Sequence, residues 1–302
     1  MPVLDAGMRA RWGWVSLTAL VVYPAAWAEQ RPIHVEVDLV LVPVTVADGA
    51  GRIVTGLGAE NFRLFEDRAP QRIAYFSQQE TPCSMALVFD RSGSMGDKLD
   101  KARLATRRLL ESGHPLDELL LIPFADRPRA EVSFTRDTAR VQNSLLWTAA
   151  GGGTALFDAV YLGLDRLRSA RHPRRALVVV SDGGDNHSRH SKREVLALAA
   201  EANVQLWAVG IHENPQRREE QGGALLLEEV ARASGGRHFW VRDHKELEEA
   251  AARIGELVHH QYVIGYYPSG KEPEGKWRRI EVRADRRGVR VYGRGGYRAS
   301  RD

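Results

Sequence analysis

Between Ser84 and His259 the chain alternates between two textures. Short apolar runs at Met85–Phe89, Leu119–Phe124, Leu177–Val180, Gln205–Ile211 and His238–Val241 read as strands covered on both faces. Between them, Leu99–Glu111, Ala155–Ser169, Lys192–Ala202, Ala224–Ala233 and Lys245–His259 repeat apolar residues three and four apart, the spacing of helices with one buried stripe. Parallel strands need crossovers long enough to hold a helix, so the alternation predicts a doubly wound, Rossmann-like α/β domain over residues 81–261. The flanks differ. From His34 to Val46 a valine-rich segment alternates with period two, and the short runs 53–54, 61–67 and 73–76 follow, separated by Gly and Asp turns. After His260, Tyr262–Tyr267, Trp277–Arg283 and Val289–Tyr292 return to the same texture. Each flank, 29–80 and 262–302, is too short for a core of its own, so the two are expected to build one small β module.

Residues 1–28 stand apart. Arg9 and Arg11 precede an apolar run from Trp12 to Val22, and Ala26-Trp27-Ala28 supplies a small-x-small ending, which reads as a secretory signal cleaved after Ala28. An uncleaved membrane anchor is the alternative, although the run is short for a bilayer span. A periplasmic or secreted location is therefore expected. The formal charge of +4 falls to +3 without Asp5, Arg9 and Arg11, too small an imbalance to argue for nucleic acid. The arginines of Lys276–Arg301 fit the wet side of alternating strands better than a basic binding face. A single cysteine, Cys83, rules out an internal disulfide, and its place in an apolar run suits a buried, inert thiol.

Candidate chemistry gathers at the ends of the expected strands, where open α/β sheets bind ligands. Asp90, Ser92 and Ser94 (DRSGSM) follow the first strand, Asp182 (SDGGDN) follows another, and Thr154 closes the glycine run 151–153 ahead of a helix. Taken singly, Asp, Ser and Thr in such places are turn and cap residues. Together, two carboxylates and three hydroxyls suit a hard divalent cation, Mg2+ better than Ca2+, with Mn2+ as a substitute. Asp185 and Asn186 are placed to shape the rim by hydrogen bonding. A hydrolase using Ser92 or Ser94 as nucleophile, with His187 or His190 as base, is the competing reading, but the G-x-S-x-G frame is absent. Gly-Lys-Ser/Thr phosphate loops and His-Glu-x-x-His zinc motifs are absent too.

DRSGSM, GGGTALFDAV and SDGGDN resemble the three loops of the metal-ion-dependent adhesion site of von Willebrand factor type A domains. VDLVLVPVTV, GLGAENFRLFED and YVIGYYPSG are similar to recurrent segments of the secreted bacterial VWFA-related family. The resemblance implies that Ser92, Ser94 and Thr154 ligate magnesium through their hydroxyls, while Asp90 and Asp182 act largely through water or hydrogen bonds. It implies a non-enzymatic adhesion or scaffold protein whose partner supplies an Asp or Glu carboxylate to the cation. A structural envelope protein with a vestigial site stands beside the hydrolase as an alternative.

Overall fold

The computed structural model describes residues 39–78, 81–212, 218–269 and 275–299. The expected signal segment and the first residues of the N-terminal β segment lie outside them. Four strands come first: β1 (Val40–Asp48), β2 (Phe62–Glu66), β3 (Ala69–Gln71) and β4 (Ile73–Gln78). The α/β region follows with β5 (Cys83–Asp90), α1 (Leu99–Glu111), β6 (Glu118–Phe124), β7 (Val132–Thr135), α2 (Thr138–Leu146), α3 (Leu156–Leu167) and β8 (Arg174–Ser181). It continues through α4 (Lys192–Glu201), β9 (Gln205–Ile211), α5 (Arg218–Ala233), β10 (Arg237–Val241) and α6 (His244–His259). The chain ends in β11 (Tyr262–Tyr266), β12 (Trp277–Ala284), β13 (Val289–Gly293) and β14 (Gly296–Arg298).

The central sheet runs β10-β9-β8-β5-β6-β7, parallel except for β7 at its edge. The chain builds outward from β5 through β6, then returns to the other side of β5 with β8. The strand order therefore reverses between β5 and β8, where the sheet's carboxyl ends part into a crevice. Residues on one face of β5, β8 and β9 pack under α1, α2 and α6, and those on the other pack under α3, α4 and α5. Both faces are covered, which is why β5 and β9 are buried along their whole length and mostly apolar rather than alternating. Cys83 is fully buried and unpaired, and burial pushes its thiol pKa up, keeping it inert.

The two chain ends do form one β module. β1 pairs antiparallel with both β11 and β13, and β2 pairs with β12. Two four-stranded sheets, β13-β1-β11-β4 and β14-β12-β2-β3, enclose a core in which Val44, Leu64, Tyr262 and Ile264 are buried. Glu66 at the end of β2 is its polar hub. The carboxylate accepts from Arg278 (2.6 Å), from Tyr297 (3.0 Å) and from the Tyr266 hydroxyl. The module leans on the α/β domain through the Thr45 hydroxyl, which reaches Gln205, and the ring of Tyr292 against Trp207.

β7 and α2 lie in residues that hydrophobic periodicity left unassigned. β7 has four residues, too few to show a period, and α2 buries only Val141 and Leu145.

Candidate metal centre

β5 delivers Asp90 to the crevice with no exposed surface. The carboxylate is held from two sides: Oδ1 accepts the Ser92 backbone N–H (2.8 Å), and Oδ2 accepts the hydroxyl of Ser181 at the end of β8 (2.5 Å). Burial pushes the Asp90 pKa up to about 6; the Ser181 and Ser92 hydrogen bonds oppose that shift and the nearby charge of Asp182 adds to it. Past Asp90 the chain winds into a 3-10 turn, Gly93–Lys98, that runs directly into α1. Ser92 and Ser94 face one another there with their hydroxyl oxygens 3.2 Å apart.

The second loop is fastened to the first by backbone. Gly93 N–H donates to Gly152 O (3.0 Å), Gly151 N–H donates to Arg91 O (2.9 Å), and Ala155 N–H reaches back to Ala125 O beyond β6 (2.8 Å). Gly152 sits at φ +82°, and a side chain on it would collide with Asp126, whose carboxylate accepts the Gly153 N–H at 2.7 Å. Thr154, which follows, is 4% exposed. Its backbone N–H donates to the Asn186 side chain at 2.8 Å, and the first-turn amides of α3 are satisfied by Asp185 (to Phe157 N, 2.9 Å) and Ser188 (to Asp158 N, 3.1 Å). Asp185 and Asn186 therefore act through loop hydrogen bonds, as the sequence suggests.

The third loop begins at Asp182, 7% exposed, one residue after the Ser181 that holds Asp90. Gly183, at φ +88°, brings the backbone against Gly223 of α5 so closely that no Cβ would fit. The position a Cβ of Gly184 would take is 3.9 Å from Asp182 Oδ1 and 4.0 Å from Thr154 Oγ1, so these two oxygens face the same small space. The other oxygen of Asp182 is engaged by Lys98 Nζ at 3.1 Å. Beyond that pair lies His212, wholly buried, with its pKa pushed down to about 4 by burial and further by the charge of Lys98.

The bland role available to these hydroxyls is helix capping, and they do not perform it. Ser92 stands at the N-cap of the 3-10 turn without a side-chain capping bond, and α3 is capped by Asp185 and Ser188 rather than by Thr154. Two buried hydroxyls, Ser92 just after β5 and Thr154 just before α3, are thus not used as caps. One pair of the donors can be compared with a cation's ligand spacing: adjacent ligands of an octahedral ion stand about 2.9 Å apart for Mg2+ and about 3.4 Å apart for the larger Ca2+, and the two serine oxygens, 3.2 Å apart, fall between the two.

Three contributors escape a reading of the sequence: Ser181, Asp126 and Lys98. Ser181 and Asp126 were visible as polar residues at the ends of apolar strands. Lys98 carried a sharper signal, because a cation at the start of a helix opposes the helix dipole and calls for a carboxylate partner. The two histidines considered as a base lie on the third loop. His190 Nδ1 meets Asp158 (2.7 Å) while its ring stacks on Tyr161, and His187 reaches Asp126 (3.8 Å).

Comparison with known proteins finds similarity over this region. The model of the von Willebrand factor type A domain matches residues 85–184. A mouse (Mus musculus) protein, von Willebrand factor A domain-containing protein 7, is 27% identical over 212 residues, covering 66% of this chain and 24% of the mouse protein. Its rat (Rattus norvegicus) counterpart is 26% identical over 191 residues, covering 59% of this chain and 21% of its own. The chain thus spans about a quarter of the length of the curated relatives it matches. Among solved structures, a von Willebrand factor type A from Catenulispora acidiphila shares the fold at a TM-score of 0.51 and 14% identity, over 87% of this chain and 74% of that one.

Proposed function

With a von Willebrand factor type A domain as its centre, we propose that this chain is an exported protein-binding protein that captures a carboxylate of its partner through a divalent cation, Mg2+ or Mn2+. The observation that carries the reading is the pair of buried hydroxyls, Ser92 and Thr154, left uncapped beside Asp90 and Asp182. Ser92, Ser94 and Thr154 would hold the ion directly, and Asp90 and Asp182 would hold it through water. When bound, the cation supplies a Lewis-acidic open position for an Asp or Glu oxygen. The protein's own part is to keep that position dry and correctly aimed. Asp90 is locked by Ser181 and the Ser92 amide, and the Thr154 loop by Asp126, Asn186 and the Gly152–Gly93 bond. In a partly buried crevice such an ion–carboxylate contact is much stronger than in bulk water.

The hydrogen bond of His190 to Asp158 favours a binder over a hydrolase, and among the described residues neither His187 nor His190 is hydrogen-bonded to Ser92 or Ser94. Export rests on the reading of residues 1–28. Among the described residues no helix is long and apolar enough to cross a membrane. Calorimetric titration of Mg2+ and Mn2+ into the full chain tests the site directly. One binding event is expected for the wild type, lost in the Ser92→Ala/Ser94→Ala double variant; a wild type that gives no heat with either ion overturns the reading. Retention of a partner from envelope extract, compared with and without chelator and with Asp90→Ala, then tests the use of the site. Equal retention in all three removes the cation from the mechanism.

A further inference from the structure

Lys98 is a cation built into the site's wall. It occupies the N-cap of α1, where the exposed amides of the helix already present partial positive charge, and it is buried there with its ammonium 3.1 Å from Asp182 Oδ2. A buried lysine in that place calls for a carboxylate, and Asp182 supplies one. That carboxylate is one of the two the divalent ion would share. Asp90 and Asp182 ionised bring two negative charges, and Lys98 reduces the sum to one.

We propose that Lys98 is a resident counter-charge of the centre: it competes with the divalent cation for Asp182, and it makes the loaded centre one unit more positive, which draws in an anionic ligand. The inference rests on the cation-binding reading of the site. Counted over these three side chains, a dication brings the sum to plus one with Lys98 in place and to zero without it. The lysine therefore weakens the grip on the metal and strengthens the grip of the loaded centre on a carboxylate. A lysine that merely props up the loops predicts the opposite sign for the metal, since losing a prop loosens the ligands and weakens binding.

The test is Mn2+ titration, by calorimetry, into the full chain as wild type, Lys98→Met and Lys98→Arg, together with thermal melts in chelator. Like charges a few ångströms apart in a partly buried site repel strongly, so Lys98→Met is expected to bind Mn2+ at least about tenfold more tightly. It should melt below the wild type in chelator and recover when Mn2+ is added. Lys98→Arg keeps the charge and should stay within about threefold of the wild-type affinity, because the long-range part of the Coulomb interaction is unchanged. Acetate serves as the anionic probe. Added to the Mn2+-loaded protein and followed by water-proton relaxation, it should displace metal-bound water at lower concentration in the wild type than in Lys98→Met. Should Lys98→Met fail to fold without metal, Lys98→Gln refolded in Mn2+ provides the same comparison. Equal or weaker Mn2+ binding by Lys98→Met overturns the inference and leaves the metal reading standing, as does Lys98→Arg changing as much as Lys98→Met. Absence of binding in every form removes the metal reading and this inference with it.

Discussion

Two of the buried ion pairs, Asp182 with Lys98 and Glu66 with Arg278, serve different ends. The first lies where a ligand can enter. The second is sealed in the β module, with side chains 7% and 5% exposed and two tyrosine hydroxyls completing the carboxylate's shell. Glu66 sits on a strand from one end of the chain, while Arg278, Tyr266 and Tyr297 come from the other. Removing one member of such a pair strands a charge without water, so Arg278→Met is expected to cost about 3–5 kcal/mol, while the double change Glu66→Gln/Arg278→Met costs less than the single one. Urea unfolding of the three proteins measures this; equal losses for single and double variants would show that the ion pair is not what holds the strands. At this scale the sequence shows which residues carry oxygen but not which carry their partners. Glu66 reads as one more charge in a Gly-rich segment until Arg278, 212 positions away, closes on it.

Among the elements, α6 is the one whose anchorage depends on pH. Its last residue, His259, is buried with Nδ1 on the Gly255 carbonyl and Nε2 on Asp117 Oδ2, each at 2.7 Å, so that both ring nitrogens face acceptors and the ring is held as imidazolium. Burial pushes its pKa down and Arg174 adds to that, but the Asp117 hydrogen bond and charge and the Gly255 carbonyl outweigh both, leaving it above the ordinary 6.5. Burial likewise raises the Asp117 pKa, and its bonds to His259 and to the amides of Cys83 and His114 more than reverse that, leaving it below the ordinary 3.8. A raised histidine contributes its full stabilisation below 6.5 and loses it as pH climbs through the folded value; a lowered aspartate loses its share only in acid. The contact is therefore strongest between about pH 4 and 6.5. The melting temperature of the wild type is expected to fall from pH 6 to pH 8.5 more steeply than that of His259→Gln, and parallel curves would remove His259 from the explanation. The helix itself was plain in the sequence: Lys245–His259 carries the apolar stripe, and the observed element is His244–His259. Its latch was not, since His259 and His260 look alike in sequence and only the first is buried against Asp117.

For the whole molecule, the decisive fact is that the chain's two ends interleave. β1 lies between β11 and β13, and β2 lies beside β12, so neither flank closes a sheet without the other. Proteolysis that cuts the link between β4 and β5 is expected to leave both pieces together in gel filtration while separating them in denaturing electrophoresis, because β1, β2 and β4 remain hydrogen-bonded to C-terminal strands. Release of the N-terminal piece under native conditions would show that the pairing alone does not hold it.

Local patterning determined the α/β class and most element positions, because a covered strand must be apolar throughout and a surface helix must carry a stripe, and both demands are written in consecutive residues. It also brought forward Asp90, Ser92, Ser94, Thr154 and Asp182 as candidates, since ligands of such sheets gather at strand ends. Tertiary structure decided the rest. Whether a serine caps a helix or faces a crevice, which carboxylate a buried lysine neutralises, and which ends of the chain share a sheet are all contacts between residues tens to hundreds of positions apart, set only when the layers pack.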